Sequence, residues 1–262
     1  MSKEMSKDIL DLDGRVAFIT GASSRGIGSG TAKVLAKHGA EVFITARREE
    51  DLQRQVAAIE SEGGQAAYAV CDVKEEEQVK AAVESCIARF GRLDIMVLAA
   101  GISGEYCEDV DFDTDNWRNV LGTNLDGVYF SMMYGYDHLV ASGNGVIIPV
   151  LSMAALKVAG TLDYTATKGA LLRMVPWCAK NMGPQGIRVN GIAPGLIDTD
   201  MTNPPGWDTS EMLHKPAAEK APLRRCATIE DCANLVLFLV SEAARNITGQ
   251  VIAIDAGEAM IE

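Results

Sequence analysis

The chain has 262 residues, of which 48% are hydrophobic and 23% are charged, a balance typical of a folded globular protein and not of a disordered one. Its 24 Lys and Arg residues against 36 Asp and Glu residues give a formal net charge of −12. This charge disfavours binding to nucleic acid or to an anionic membrane surface. The length allows one domain to bury a core without disulfides or metal ions.

The cysteines and histidines show no ligand spacing. The six cysteines form no CxxC pair, and the three histidines are far apart, so we expect reduced thiols and no metal site. No run approaches 18 uninterrupted apolar residues, and residues 1–11 are polar with mixed charge. We therefore expect neither a membrane span nor an export signal, and a cytoplasmic location.

Strand-length apolar runs alternate with helical patterns. In chain order, we predict strand 15–20, helix 27–38, strand 41–46, helix 49–62, strand 66–71, helix 75–90, strand 94–99, helix 113–141, strand 145–151, helix 163–182, strand 187–193, helix 229–241 and strand 250–255. Strands rich in Val, Ile and Ala without polar alternation indicate burial on both faces. The pattern predicts an α/β fold, a doubly wound parallel sheet of about seven strands, with an N-terminal tail at 1–12 and one domain at 13–262.

Two segments do not fit this alternation. Residues 105–115 contain six acidic residues, which we interpret as a solvated loop. Residues 199–222 contain several prolines among Met201, Trp207, Met212 and Leu213. Long segments of this kind in compact domains are often lids or disordered, and the apolar content favours a lid.

A glycine-rich loop follows the first predicted strand. The chain reads Thr-Gly-Ala-Ser-Ser-Arg-Gly-Ile-Gly and then becomes helical. Glycines allow backbone to approach a phosphate closely, and a helix N-terminus offers free N–H groups to it, although a tight turn needs glycine for backbone reasons too. In the first strand–helix unit we predict a dinucleotide site, formed by Gly21, Ser23, Ser24, Arg25, Gly26, Ile27 and Gly28.

The ends of the next two strands favour a particular dinucleotide. Arg47 and Arg48 follow the second strand, where an acidic residue would bind the 2′-hydroxyl of NAD and an arginine suits the 2′-phosphate of NADP. With Arg25 in the glycine loop, this predicts NADP(H) as the preferred cofactor, with NAD(H) possible. After the third strand, Asp72 beside Val73 could bind the adenine amino group, cap the following helix, or do both.

Tyr164 and Lys168 are four residues apart and share one face of a predicted helix, with Cβ atoms roughly 5–6 Å apart. A nearby ammonium favours the phenolate and lowers a tyrosine pKa, which makes the phenol usable as an acid and base. Ser152 follows an apolar strand twelve residues earlier, where its hydroxyl could hold a carbonyl oxygen that develops negative charge. These three side chains predict proton transfer at a carbonyl or carbinol group.

Taken together, the motifs resemble those of the short-chain dehydrogenase/reductases over nearly the whole chain. The matching residues are Thr20–Gly28, Asp72, Ala99, Ala100, Gly101, Asn124, Ser152, Tyr164, Lys168 and the run Pro194, Gly195, Leu196, Ile197, Asp198 and Thr199. The resemblance implies a Rossmann-type fold, a homodimer or homotetramer, and a catalytic tetrad of Asn124, Ser152, Tyr164 and Lys168. It also implies cofactor contacts from Ala100, Gly101, Pro194, Gly195, Ile197 and Thr199 and from Tyr164 and Lys168.

Three departures from the family pattern concern the cofactor side and the spacing of the tetrad. The glycine loop is one residue longer than TGxxxGxG. The usual Asn-Asn-Ala-Gly after strand four reads Leu98-Ala99-Ala100-Gly101, and the interval from Ser152 to Tyr164 is one residue shorter than in many members. None of these changes removes a reacting group.

The resemblance implies NADP(H)-dependent interconversion of a ketone and a secondary alcohol on a small hydrophobic substrate, such as a hydroxysteroid. A 3-oxoacyl thioester reductase is the alternative, for which Arg224 and Arg225 are candidate carrier contacts. The Tyr-x3-Lys spacing counts against an enoyl reductase. A non-catalytic NADP(H)-binding regulator is an alternative of another class, and the intact tetrad disfavours it.

Overall fold

The protein is described by a computed structural model, which covers residues 8–105, 112–206 and 208–260. Six parallel strands pair in the order β3-β2-β1-β4-β5-β6, and a second parallel pair is β7-β8. The strands are β1 (Val16–Thr20), β2 (Glu41–Ala46), β3 (Gln65–Val70), β4 (Ile95–Leu98), β5 (Val146–Pro149), β6 (Arg188–Val189), β7 (Gly191–Pro194) and β8 (Val251–Ile254). The predicted doubly wound parallel α/β sheet is confirmed.

The sixth predicted strand, 187–193, is divided at Asn190 into β6 and β7. The division is local, because the Asn190 N–H still donates to the Ile147 carbonyl at 3.1 Å and Val150 forms a parallel bridge with Ile192. The buried Asn190 side chain instead bonds the Ile247 carbonyl and the Gln250 N–H. β7 therefore continues β6, and β8 lies outside it.

Helices cover both faces of the sheet. They are α1 (Ile27–Lys37), α2 (Glu49–Ser61), α3 (Glu76–Phe90), α4 (Thr114–Leu121), α5 (Gly127–Ser142), α6 (Leu162–Met182), α7 (Lys215–Lys220) and α8 (Ile229–Val240). Helices α1, α2 and α8 pack on one face, and α3, α5 and α6 pack on the other. Because strand side chains alternate, Ala17 and Ile19 of β1 enter the first core while Val16 and Phe18 enter the second.

The strand order reverses between β1 and β4. The chain builds outward from β1 through β2 to β3, and then returns to place β4 on the other side of β1. In open parallel sheets, ligands bind beyond the carboxyl ends of the strands at such a reversal. The Thr20 hydroxyl at the end of β1 accepts from the Ala100 N–H after β4 at 3.1 Å, which joins the two loops at this point.

Two predicted segments differ in detail. The helix predicted at 113–141 is divided by a π-helical turn at Gly122–Asp126, and residues 199–222 contain a second π-helical turn, Ser210–His214, followed by α7. Trp207 and residues 106–111 of the acidic loop lie outside the described residues. Leu12, at the end of the predicted tail, is 1% exposed and its N–H donates to the His38 carbonyl, so the packed core reaches this residue.

Within the described ranges, no helix combines the length and apolar character required to cross a membrane. The same part of the chain contains no group of three or more His, Cys, Asp or Glu side chains arranged to hold a metal ion.

Candidate active site

The glycine loop lies between the end of β1 and the start of α1. Gly21 has a φ of +70°, and a Cβ there would lie 2.7 Å from the backbone of Ala100, while a Cβ at Gly28 would lie 2.6 Å from the Gly21 carbonyl oxygen. Packing alone therefore requires both glycines. At Gly26 the φ of −168° is extended backbone open to any residue, and a Cβ would meet only Ser24 Oγ, at 3.8 Å. Neither packing nor backbone requires glycine at this position, and the space beside it suits a closely approaching ligand.

The three predicted phosphate-binding arginines differ in their surroundings. Arg48 pairs with Asp51 at 2.5 Å. Arg25 pairs with Asp198 at 2.9 Å. Arg47 is exposed just after β2, and no carboxylate among the described residues forms an ion pair with it. Within the described part of the chain, Arg47 is thus the one of these three guanidinium groups without an ion pair.

Asp72 follows β3 at the same edge of the sheet. Its Oδ1 accepts from the Lys74 N–H at 3.1 Å, and its own N–H donates to Gln78 Oε1 at 2.9 Å. The helix-cap alternative for Asp72 is wrong, because the N-cap of α3 is Glu75, three residues after Asp72. The carboxylate is held in a turn instead, with one oxygen directed by the Lys74 N–H.

Ser152, Tyr164 and Lys168 come together on one wall of the cleft. Ser152 follows β5 and accepts from the Ala154 N–H at 3.2 Å, which begins a short helical turn. Tyr164 and Lys168 lie on the first turns of α6, and Lys168 Nζ is 5.4 Å from the centroid of the Tyr164 ring. Lys168 Nζ also donates to the Val150 carbonyl at 2.8 Å, so the amine lies between the tyrosine ring and the end of β5.

Burial dominates the electrostatics of this pair. Desolvation raises the pKa of the Tyr164 phenol above its ordinary value, and a hydrogen bond with Ser152 opposes that shift. Desolvation lowers the pKa of Lys168 from 10.5 to about 8. The ammonium form still predominates at neutral pH, so a buried positive charge lies beside the phenol ring.

Asn124 lies behind the cleft wall and not in it. It is 0% exposed, on the π-helical turn between α4 and α5. Its Oδ1 accepts from the Ile102 N–H at 2.8 Å, and its Nδ2 donates to the Ile102 carbonyl at 2.9 Å and to Thr167 Oγ1 at 3.3 Å. Asn124 therefore ties the loop after β4 to α6. With the Thr20 hydroxyl, it provides polar support to a loop that lacks the usual two asparagines.

These elements enclose a cleft of about 290 Å³ at the carboxyl ends of the strands. Every predicted cofactor residue lines it: Gly21, Ser23, Ser24, Arg25, Gly26, Ile27, Gly28, Arg47, Arg48, Asp72, Val73, Ala100, Gly101, Tyr164, Lys168, Pro194, Gly195, Ile197 and Thr199. Ser152 lines it as well. Sequence reasoning missed other apolar and hydroxyl residues beside these motifs: Ala46, Cys71, Ile102, Thr123, Val150, Leu151 and Thr202. Most of these residues are adjacent in sequence to a predicted site residue, and this adjacency could have identified them.

Comparison with known proteins identifies the family. A family model described as enoyl-(acyl carrier protein) reductase matches residues 21–258. The chain is 35% identical over 246 residues to the short-chain reductase protein NovJ of Streptomyces niveus, covering 92% of this chain and 93% of that protein.

Solved structures agree in fold over nearly the full length. A gluconate 5-dehydrogenase from Burkholderia cenocepacia J2315, in complex with NADP and tartrate, superposes with a TM-score of 0.89 at 33% identity, covering 97% of this chain and 99% of that one. A 3-ketoacyl-(acyl-carrier-protein) reductase from Brucella melitensis, complexed with NADH, gives 0.86 at 31% identity, covering 95% and 100%. The sheet, the cleft and these relatives together establish that the chain belongs to the short-chain dehydrogenase/reductase family and is an oxidoreductase acting on CH–OH groups.

Proposed function

We propose that this enzyme interconverts a ketone and a secondary alcohol with NADP(H), using Tyr164 as the proton donor and acceptor. The observation that carries the proposal is the convergence of Ser152, Tyr164 and Lys168 on the cleft that the glycine loop also lines. A hydroxyl, a phenol and a buried ammonium in one cleft suit proton transfer to a carbonyl oxygen.

The cleft fits a nicotinamide dinucleotide. The open space at Gly26 and the N-terminus of α1 suit a pyrophosphate, since the first N–H groups of a helix lack partners within the helix. The Asp72 carboxylate is available to the adenine amino group, and Arg47, which no described carboxylate pairs with, suits a 2′-phosphate. When bound, the nicotinamide supplies or accepts the hydride.

The residues of the chain handle the proton. In the direction of reduction, the Tyr164 hydroxyl donates its proton to the carbonyl oxygen, and the Ser152 hydroxyl donates a hydrogen bond to the same atom. The phenolate left on Tyr164 is stabilised by the Lys168 ammonium, which the Val150 carbonyl holds in place. Asn124 keeps the loop after β4 and the start of α6 in register, so that these groups stay aligned.

The preference for NADP(H) rests on Arg47. Replacing Arg47 by Ala removes a charge-assisted contact, which is worth roughly 1.5–3 kcal/mol, or about 10- to 150-fold in affinity. We expect NADPH binding, followed by its fluorescence, to weaken by this factor while NADH binding changes little. Arg48→Ala is the matched control, because Arg48 is already paired with Asp51. Equal losses of both dinucleotides would show that the 2′-phosphate is bound elsewhere.

The substrate side of the cleft favours a largely apolar molecule, such as a hydroxysteroid or a similar cyclic alcohol. Met201 lines the cleft, and Met212 and Leu213 are exposed on the segment that we propose covers the substrate. A 3-oxoacyl thioester is the second candidate, and the similarity to a 3-ketoacyl-(acyl-carrier-protein) reductase favours it.

A substrate panel tests the reaction and separates these candidates. NADPH oxidation would be followed with a 3-ketosteroid, cyclohexanone, 5-ketogluconate and acetoacetyl coenzyme A, and the corresponding alcohols would be assayed in the reverse direction. Turnover of the steroid or cyclic ketone supports the first candidate, and turnover of the thioester alone supports the second. Reduction by Tyr164→Phe at the wild-type rate would contradict the proposed role of the phenol.

We also infer that the protein is a homodimer or homotetramer that associates through α5 and α6. Tyr129, Met133 and Trp177, the last 64% exposed, line an apolar groove of about 450 Å³ on these two helices. Exposed apolar patches of this kind mark association surfaces. Light scattering should report an oligomer for the wild type and a shift toward monomer for Trp177→Glu.

A further inference from the structure

Arg25 connects the glycine loop to the segment after β7 through both its side chain and its backbone. Its guanidinium bonds both carboxylate oxygens of Asp198, at 2.9 and 3.0 Å, and donates to the Asp198 carbonyl at 3.1 Å. Its Nε lies 3.5 Å from Asp200 Oδ1. In addition, the Arg25 N–H donates to Asp200 Oδ2 at 3.1 Å and the Asp200 N–H donates to the Arg25 carbonyl at 2.9 Å.

This connection differs from an ordinary surface ion pair, which contributes 0–1 kcal/mol. The guanidinium engages Asp198 at two points, which is the stronger geometry for an arginine and a carboxylate. One backbone–backbone hydrogen bond, from the Asp200 N–H, and one from the Arg25 N–H to the Asp200 carboxylate also hold the same two segments together. Residues more than 170 positions apart in the chain are thereby held together at the mouth of the cleft.

The segment that Arg25 holds is a turn over residues 197–203, which we call the 198 turn. The Thr202 hydroxyl accepts from the Thr199 N–H at 3.1 Å and donates to the Ile197 carbonyl at 2.5 Å. Asn203 Nδ2 donates to Asp198 Oδ1 at 3.2 Å. Ile197, Thr199, Met201 and Thr202 of this turn line the cleft. Displacement of the turn would therefore move the cleft wall itself.

The charges around Arg25 disfavour a second role as a phosphate ligand. Asp198 and Asp200 more than compensate its positive charge, so a 2′-phosphate would approach a group of net charge −1. The hydrogen bond to Asp198 also raises the pKa of Arg25, as expected for a guanidinium already engaged with a carboxylate. Arg47 offers an anion a charge that no described carboxylate pairs with.

We propose that Arg25 is a positioning residue for the substrate side of the cleft: it anchors the 198 turn to the glycine loop and does not bind the 2′-phosphate of the cofactor. The proposal rests on the proposed function in one respect: that the cleft holds a dinucleotide and a carbonyl substrate. It makes the glycine loop, which is one residue longer than the usual pattern, a structural support for the opposite side of the site.

The test uses Arg25→Ala and Asp198→Ala, whose effects agree if Arg25 anchors the turn and are opposite in sign if Arg25 binds the 2′-phosphate. If Arg25 anchors the turn, both variants behave alike. Each leaves the ratio of NADPH to NADH affinity unchanged within about twofold, and each speeds proteolytic cleavage within residues 199–222 by about tenfold or more, since local opening controls cleavage. The double variant should be no worse than the single variants, because they remove one connection.

If Arg25 binds the 2′-phosphate instead, Arg25→Ala loses about tenfold or more in NADPH affinity with NADH unaffected, whereas Asp198→Ala binds NADPH more tightly because a repelling carboxylate is gone. That pair of results would overturn the proposal, and so would unchanged proteolysis in both variants. Arg47→Ala run in parallel calibrates the loss expected from a true phosphate ligand.

Steady-state kinetics then separates positioning from general damage to the fold. With whichever ketone of the panel the wild type reduces, Arg25→Ala should raise KM more than it lowers kcat, and Arg25→Lys should recover part of the loss. Equal loss of kcat in Arg25→Ala and Arg25→Lys with KM unchanged contradicts the proposal. If the wild type reduces no ketone in the panel, the proposed function fails, while proteolysis and dinucleotide binding still decide the role of Arg25.

Discussion

The burial of Lys168 should make the stability of the protein depend on pH in the alkaline range. The residue is 4% exposed, its amine donates to the Val150 carbonyl, and among residues 8–105, 112–206 and 208–260 no carboxylate forms an ion pair with it. Desolvation lowers its pKa from 10.5 to about 8. At neutral pH the folded protein must therefore hold a buried ammonium, at a cost to stability.

The sign and size of that cost follow from proton linkage. Between pH 8 and 10.5 the unfolded chain holds the Lys168 proton and the folded chain has released it, so the free energy of unfolding rises with pH in this window. A pKa difference of this size corresponds to about 3 kcal/mol in total, of which about 2 kcal/mol is recovered between pH 7 and pH 9.5. Lys168→Met has no titrating group there, and its lost bond to Val150 is independent of pH.

The measurement is a pair of denaturant titrations, wild type and Lys168→Met, at several pH values from 7 to 9.5 without cofactor. The difference in free energy of unfolding should move in favour of the wild type by about 2 kcal/mol as the pH rises. Other titrating groups cancel in the difference, and stopping at pH 9.5 limits ionisation of Tyr164. A difference that stays constant across this range would refute the argument, because it would mean that the amine is not desolvated in the folded protein.

Three further predictions concern neighbouring parts of the site. Tyr164→Phe should reduce turnover by at least about 100-fold, the lower end for loss of a general acid, while NADPH affinity measured by fluorescence stays within a few fold. Gly21→Ala should lower the thermal midpoint and weaken NADPH binding, because the new Cβ would lie 2.7 Å from the Ala100 backbone at a φ of +70°; wild-type stability would show that the loops separate at little cost. Asp163→Ala should lower the free energy of unfolding in denaturant by about 1–3 kcal/mol. Asp163 is buried and accepts from the Asn116 amide at 2.6 Å and from the Tyr164 N–H at 2.7 Å, and Ala leaves both donors without this partner. Asp163→Asn should lower the free energy of unfolding by less.

Local patterns carried most of the fold. Every strand predicted from an apolar run is present, because parallel strands buried on both faces leave an unbroken apolar signature. Helix ends were readable where glycine adopts the left-handed conformation, as Gly91 does after α3 with a φ of +80°. The division of helix 113–141 could not be predicted from the sequence, because the π-helical turn at Gly122–Asp126 keeps nearly helical backbone angles and contains no proline.

The same difference between local and long-range sequence information decides which parts of the site could be predicted. The positions of Ser152, Tyr164 and Lys168 follow from strand ends and helix spacing, which are properties of short stretches of sequence. The pairing of Arg25 with Asp198 depends on how the glycine loop and the chain after β7 meet in space, and no pattern in either segment specifies a partner across that distance. For the same reason, charge alone did not separate Arg47 from Arg25, whereas the pair that distinguishes Arg48 is local, with Asp51 three residues away.

The features that distinguish the cleft are those that folding alone does not require. Gly21 and Gly28 are explained by close backbone contacts, yet Gly26 has open space beside it where a side chain would fit. The π-helical turn that carries Asn124 replaces regular helix in a buried element, and the ammonium of Lys168 is desolvated without a paired carboxylate in the described chain. The glycine at position 26, the π-helical turn and the desolvated ammonium each lower stability or leave it unimproved, and all three lie at one edge of the sheet. Their concentration there is what binding a dinucleotide and moving a proton require, because both need backbone and charge to be held ready before the ligand arrives.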